Sequence, residues 1–144
     1  MKGIGLYIAL IILTCGASTA QHSVLGKWKT IDENTGEVRS MVEIFERNNK
    51  VHGRIVQIFP KPGDDPDPVC DECDKDDPRY MKKIMGMEII KDLTKSDDEF
   101  SGGTVLDPEV GRIYRCKIWL EGDDLMIRGY WGPFFRTQTW KRVL

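Results

Sequence analysis

The tetrapeptide Cys70-Asp71-Glu72-Cys73 is the sharpest pattern in the chain whose side chains could do chemistry. Two thiols at that spacing can close a small disulfide, supply half of a zinc site or cycle as a redox pair. A redox pair takes its reactivity from a helix start inside a strand-helix-strand unit, a context missing here, and the acidic neighbours disfavour the thiolate. A zinc site needs two more ligands, for which only Cys116 and His52 are suitable types. A structural disulfide between Cys70 and Cys73 is the leading expectation, ahead of the metal and redox readings. Cys116 then remains as a lone thiol, a small hydrophobe if it faces inward.

The pair sits in Pro60–Arg79, a stretch with five prolines and eight acidic residues. That many prolines forbid a regular strand or helix. Calcium would need a turn glycine and a bidentate acid at set positions, and neither is present. The segment is expected to be a long, solvated acidic loop without a metal. Catalytic patterns are absent too: no Gly-x-Ser-x-Gly, no phosphate-cradling glycine loop and no His-Glu-x-x-His occurs, and His22 and His52 are the sole histidines. Asp97-Asp98 and Asp123-Asp124 fall at expected hairpin tips, which offer none of the shielded surroundings that acid–base work needs. No enzymatic activity and no cofactor are expected. Aromatic and arginine residues gather instead late in the chain, and Trp28, Tyr114, Arg128, Tyr130, Arg136 and Trp140 are the candidate ligand-binding groups, since a small-ligand pocket needs aromatic walls and a few fixed polar groups.

Strands must position these groups. After Val24 the chain reads as short alternating runs at Leu25–Ile31, Val38–Arg47, Lys50–Phe59, Met85–Leu93, Glu99–Leu106, Arg112–Leu120, Asp124–Trp131 and Arg136–Val143. Asn, Gly, Asp and Pro punctuate them where hairpins must turn. In the sixth run Tyr114, Cys116, Ile118 and Leu120 share the face expected to be inward. Eight short strands joined by tight turns predict an all-β fold, an eight-stranded antiparallel up-and-down barrel with one long acidic Pro-rich loop. Closure removes the edges that a two-sheet sandwich, the competing arrangement, would leave.

Length and charge set the outer limits. A chain of 144 residues suits one domain, and a net charge of −2 excludes coating of nucleic acid. Residues 1–20 combine Lys2, an apolar run from Ile4 to Leu13 and small residues before Gln21, the order of a secretory signal peptide. The expected domain is therefore 21–144, a monomer exported to the periplasm or secreted, with no stable membrane insertion once the leader is cut. Lipid attachment at Cys15 is the secondary reading, because Thr14 suits a lipobox poorly.

Gly26-Lys27-Trp28 resembles the Gly-x-Trp signature of lipocalin-like barrels, in which the Trp closes the base beneath an Arg of the last strand; Arg142 and Arg136 are the candidates for that Arg. Over nearly all of the segment after residue 20 the chain is similar to the bacterial domain of unknown function 2147 family, through blocks such as Gly26-Lys27-Trp28-Lys29-Thr30-Ile31-Asp32, Leu106-Asp107-Pro108, Tyr114-Arg115-Cys116-Lys117 and Arg136-Thr137-Gln138-Thr139-Trp140. The resemblance implies a small exported bacterial protein with a calycin-like barrel and no assigned catalytic residues. Together these readings predict a barrel that binds a small, partly apolar ligand. The alternative is an envelope interaction protein with a filled core.

Overall fold

The computed structural model describes residues 22–144; the expected leader, its cleavage before Gln21 and the Cys15 alternative lie outside the described residues. Eight strands follow one another: β1 (Gly26–Ile31), β2 (Val38–Arg47), β3 (Lys50–Ile58), β4 (Glu88–Ser96), β5 (Glu99–Asp107), β6 (Arg112–Glu121), β7 (Asp124–Trp131) and β8 (Phe134–Arg142). Each pairs antiparallel with the next, and β1 pairs with β8 through Trp28↔Arg142 and Lys29↔Lys141, closing the barrel. The expected meander is the observed one. β8 starts two residues earlier than the alternation predicts, because Gly132-Pro133 turn the chain within two residues and pair Trp131 directly with Phe134. β4 runs three residues later: Gly86 and Met87 still exchange main-chain hydrogen bonds with Ile55 of β3 at 2.8 and 2.9 Å, but the register shifts there and the regular ladder begins only at Glu88.

Inward alternation fills one half of the barrel. Trp28, Val42, Ile44, Leu93, Ile118 and Leu125 are fully buried, with Cys116 beside them. The Trp28 Nε1–H donates to the Val24 carbonyl at 2.9 Å. The Arg142 guanidinium stacks 4.1 Å from the Trp28 ring centroid and donates to the Ser23 carbonyl at 2.7 Å. Arg142, not Arg136, therefore seals the base over Trp28. At this end lie the β2–β3, β4–β5 and β6–β7 turns; Asn48 and Asn49 both take positive φ (54° and 61°), the pair of angles a tight hairpin demands.

The four connections at the other end include the long segment between β3 and β4. It is indeed irregular, but it is packed and not merely solvated. Cys70 and Cys73 form a disulfide and are both buried. The Cys70 N–H donates to the Lys82 carbonyl, the Met81 N–H to the Cys70 carbonyl and the Ile84 N–H to the Pro68 carbonyl, so the loop carries a short ribbon of its own. It leans on the β5–β6 turn, where Gly111 (φ +69°) leaves room for the Glu72 carbonyl; a Cβ there would sit 1.7 Å from that oxygen. Near its end the Arg79 fork donates to Asp77 at 2.8 and 3.0 Å and to the Glu88 carbonyl at 3.0 Å, which ties loop to strand.

Two expected results follow from this loop. Chain beginning at Gln21 should present one reactive thiol, that of Cys116, when denatured without reductant. In the native state burial pushes the Cys116 thiol up to about 12, so it should resist thiol reagents. Removing the short Cys70–Cys73 closure should lower stability by about 2 kcal/mol on loop-entropy grounds, read from urea midpoints of the Cys70→Ser/Cys73→Ser variant. The second result concerns acid. Arg79 holds the Asp77 carboxyl at about 2, below its ordinary 3.8. A carboxyl lowered in the folded state stabilises above its unfolded value and loses that contribution as pH falls through the folded one. Asp77→Asn should therefore cost about 2 kcal/mol at neutral pH and nothing by about pH 1, which flattens the acid limb of a stability–pH curve.

Candidate functional site: a cavity at the open end

Above the sealed half the inward side chains no longer meet, and a cavity of about 840 Å³ opens between the strands and the overlying loops. Its apolar wall includes Ile55 of β3, Val105 of β5, Tyr114 of β6, Ile127 of β7 and Trp140 of β8. Two features keep it hollow. Gly129 takes an inward position on β7 without a side chain, and a Cβ there would stand 3.3 Å from Tyr114 Cβ. The loop segment at Pro68, Val69 and Ile84 lines the open end rather than filling it. Few polar groups reach the interior. Gln138 accepts from Trp140 Nε1 at 3.3 Å, and the Thr30 and Ser40 hydroxyls pair at 2.8 Å. None of the buried side-chain polar atoms among the described residues lacks a hydrogen-bond partner.

The mouth is charged. Asp32 and Glu33 of the β1–β2 turn, Asp64, Asp65 and Asp71 of the long loop, and Asp107 and Glu109 of the β5–β6 turn surround it, with Arg39 and Arg136 between them. Asp32 accepts the Asn34 and Thr35 N–H groups at 2.9 and 3.1 Å, which hold its carboxyl below the ordinary range, with Lys61 adding to the effect. Arg39 donates to Glu109 at 2.8 Å, and Arg136 is paired with Glu33; each carboxylate raises its partner's pKa further. Arg136 also feels Asp107 and Tyr114. The carboxylates are spread around the rim; no group of three or more His, Cys, Asp or Glu among the described residues is arranged to hold a metal ion.

The six residues singled out from the sequence divide evenly. Tyr114, Arg136 and Trp140 meet on the cavity wall and mouth. Trp28 lies at the sealed base, away from the cavity. Arg128 and Tyr130 alternate with the inward Ile127 and Gly129, so they point outward; Arg128 donates to Thr137 at 2.7 Å and lies over the Trp119 and Phe135 rings. Ile55, Ile127 and Gln138 were missed in the sequence, although parity with Trp140 two positions on was enough to mark Gln138. The rim acids gave no sequence signal, because they come together only when three distant connections share one end.

Comparison with solved structures finds a protein from Helicobacter pylori, HP1028, described as belonging to the lipocalin family; it is 22% identical, with 85% of this chain and 84% of that one covered at a TM-score of 0.69. That likeness is one of fold. No curated protein matches. A family model described as an uncharacterized protein conserved in bacteria matches residues 26–142, from the first strand to the last. The Gly26–Arg142 barrel, sealed by Trp28 and hollow above Trp140, thus belongs to the bacterial domain of unknown function 2147 family.

Proposed function

We propose that the protein is an exported bacterial carrier that holds one small, partly apolar molecule in the open half of the barrel. The cavity is the observation that supports this reading: about 840 Å³ lies within the range of small-molecule sites, and apolar walls with a few fixed polar groups are their usual lining. Tyr114, Ile127 and Trp140 would grip the apolar part, and Gln138 and Arg136 would orient a polar end. The Cys70–Cys73 disulfide is consistent with an oxidising compartment, the periplasm or the exterior. The alternative, an interaction protein with a solid core, calls for a filled barrel, and the open half is hollow.

Native mass spectrometry of protein purified from its own periplasm tests the carrier. A reproducible adduct of a few hundred daltons is expected, and it should be lost from an Ile127→Trp variant, whose indole occupies the cavity. Repeated recovery of wild type without any bound mass, together with no uptake of apolar fluorescent probes, would overturn it.

A further inference from the structure

The β6–β8 sector of the barrel, from the rim of the cavity mouth onto the outer face, carries the exposed aromatic residues and the unpaired arginines among the described residues together. Trp131, Phe134 and Phe135 flank the two-residue β7–β8 turn at the cavity mouth and are 55%, 68% and 61% exposed. Trp131 and Phe134 stack across the hairpin at 6.4 Å. Ile113 lies on the neighbouring strand with 44% of its surface open.

The chain has nine arginines. Arg39, Arg47, Arg54, Arg79 and Arg136 are paired with carboxylates. Arg142 closes the base. The remaining three, Arg112, Arg115 and Arg128, have no carboxylate partner among the described residues, and each lies over an aromatic ring of this same side: Arg112 over Trp131 at 4.7 Å, Arg115 over Tyr130 at 5.8 Å and Arg128 over Phe135 at 4.5 Å. Stacking fixes the guanidinium planes while leaving most N–H donors unused.

We infer that this lip docks reversibly on an anionic phospholipid surface, with the hairpin tip entering the headgroup region and the three arginines meeting phosphates. Apolar side chains at the tip of a tight hairpin can enter a fluid interface that needs no complementary pocket. Trp beside Arg is the composition favoured at that depth. Charge complementarity is local and oriented. The chain as a whole is net acidic, and the opposite side of the mouth carries Asp64, Asp65 and Asp71, which an anionic surface repels. The protein would therefore lie on its β6–β8 side, with the β7–β8 hairpin tip at the membrane and the acidic loop on the far side of the mouth. This docking does not rest on the carrier reading, although Trp131, Phe134 and Phe135 also line the cavity mouth.

Vesicle flotation tests it, using phosphatidylcholine vesicles with and without one-third phosphatidylglycerol. Wild type should float with the anionic vesicles, release in high salt and show tryptophan quenching by lipids brominated near the headgroup. Phe134→Ser/Phe135→Ser and, separately, Arg115→Gln/Arg128→Gln should each weaken binding at least tenfold while leaving circular dichroism and the melting temperature near wild type. Absence of flotation, equal binding to neutral vesicles, or unchanged binding by both variants would overturn the inference. So would a concentration-dependent dimer that Phe134→Ser/Phe135→Ser abolishes, because the lip would then serve a second copy of this chain.

Discussion

Trp28→Ala is expected to cost the fold about 3–5 kcal/mol, the range for deleting a large aromatic side chain from a packed interior. The indole is fully buried, and three dependencies converge on it. Its ring fills the base of the barrel, its Nε1–H satisfies the Val24 carbonyl, and its face supports Arg142, which in turn binds the Ser23 carbonyl. Truncation leaves a void and an unsupported guanidinium at the seam where β1 and β8 close the sheet with only two paired positions. Urea unfolding should show the loss as a lower midpoint. Trp28→Phe should cost less, since the ring stays and only the donor goes. A double-mutant cycle with Arg142→Ala should be strongly non-additive, because both changes break the same stack. Where the Trp28 variant remains folded, ligand uptake should persist, since its side chain does not reach the cavity.

Gly103→Ala is expected to destabilise by about 3 kcal/mol or more, through steric collision instead of a void. A Cβ at Gly103 would stand 2.0 Å from the Lys91 carbonyl oxygen, 2.8 Å from Asp92 C and 2.9 Å from Leu93 N, all of them backbone atoms. The β4 chain approaches because Asp92 takes a positive φ of 62°, which turns its main chain toward β5 between the Lys91↔Thr104 and Thr94↔Ser101 pairs. No rotamer change can relieve such a contact, so the two strands must separate. Gly36→Ala is the control: its φ of +73° brings the strain of a left-handed residue, but nothing stands within 4 Å, and about 1 kcal/mol is expected. A similar loss in both variants, measured by chemical denaturation, would mean that β4 and β5 are not in this close contact.

Alternation along each run made the barrel legible. Tyr114, Cys116 and Ile118 face inward because side chains two apart share a face, whatever the rest of the chain does. Turn chemistry marked the hairpin positions for an equally local reason, and it erred where Pro133 follows Gly132 and the strand resumes at once. The Cys70–Cys73 pairing was also local, since a three-residue separation keeps two thiols within reach. Arg128 and Tyr130 illustrate the opposite case. Composition grouped them with Arg136 and Trp140 as pocket residues, yet strand parity turns them outward, onto the lip.

The sequence by itself determined the number and order of strands and the inward face of β3 and β6, because these follow from neighbours along the chain. It favoured the Cys70–Cys73 disulfide over metal and redox roles, and the resemblance to lipocalin-like barrels implied the Trp28 base while leaving its arginine open between Arg136 and Arg142. Only the tertiary structure decided that the barrel is filled at one end and hollow at the other, and that carboxylates from three connections ring its mouth. It alone also decided that Arg112, Arg115 and Arg128 gather in one sector of the barrel with Trp131, Phe134 and Phe135. The physical reason is closure: a cavity's volume and a rim's charge depend on where strands distant in sequence come to lie once the sheet has met itself, and no local pattern encodes that distance.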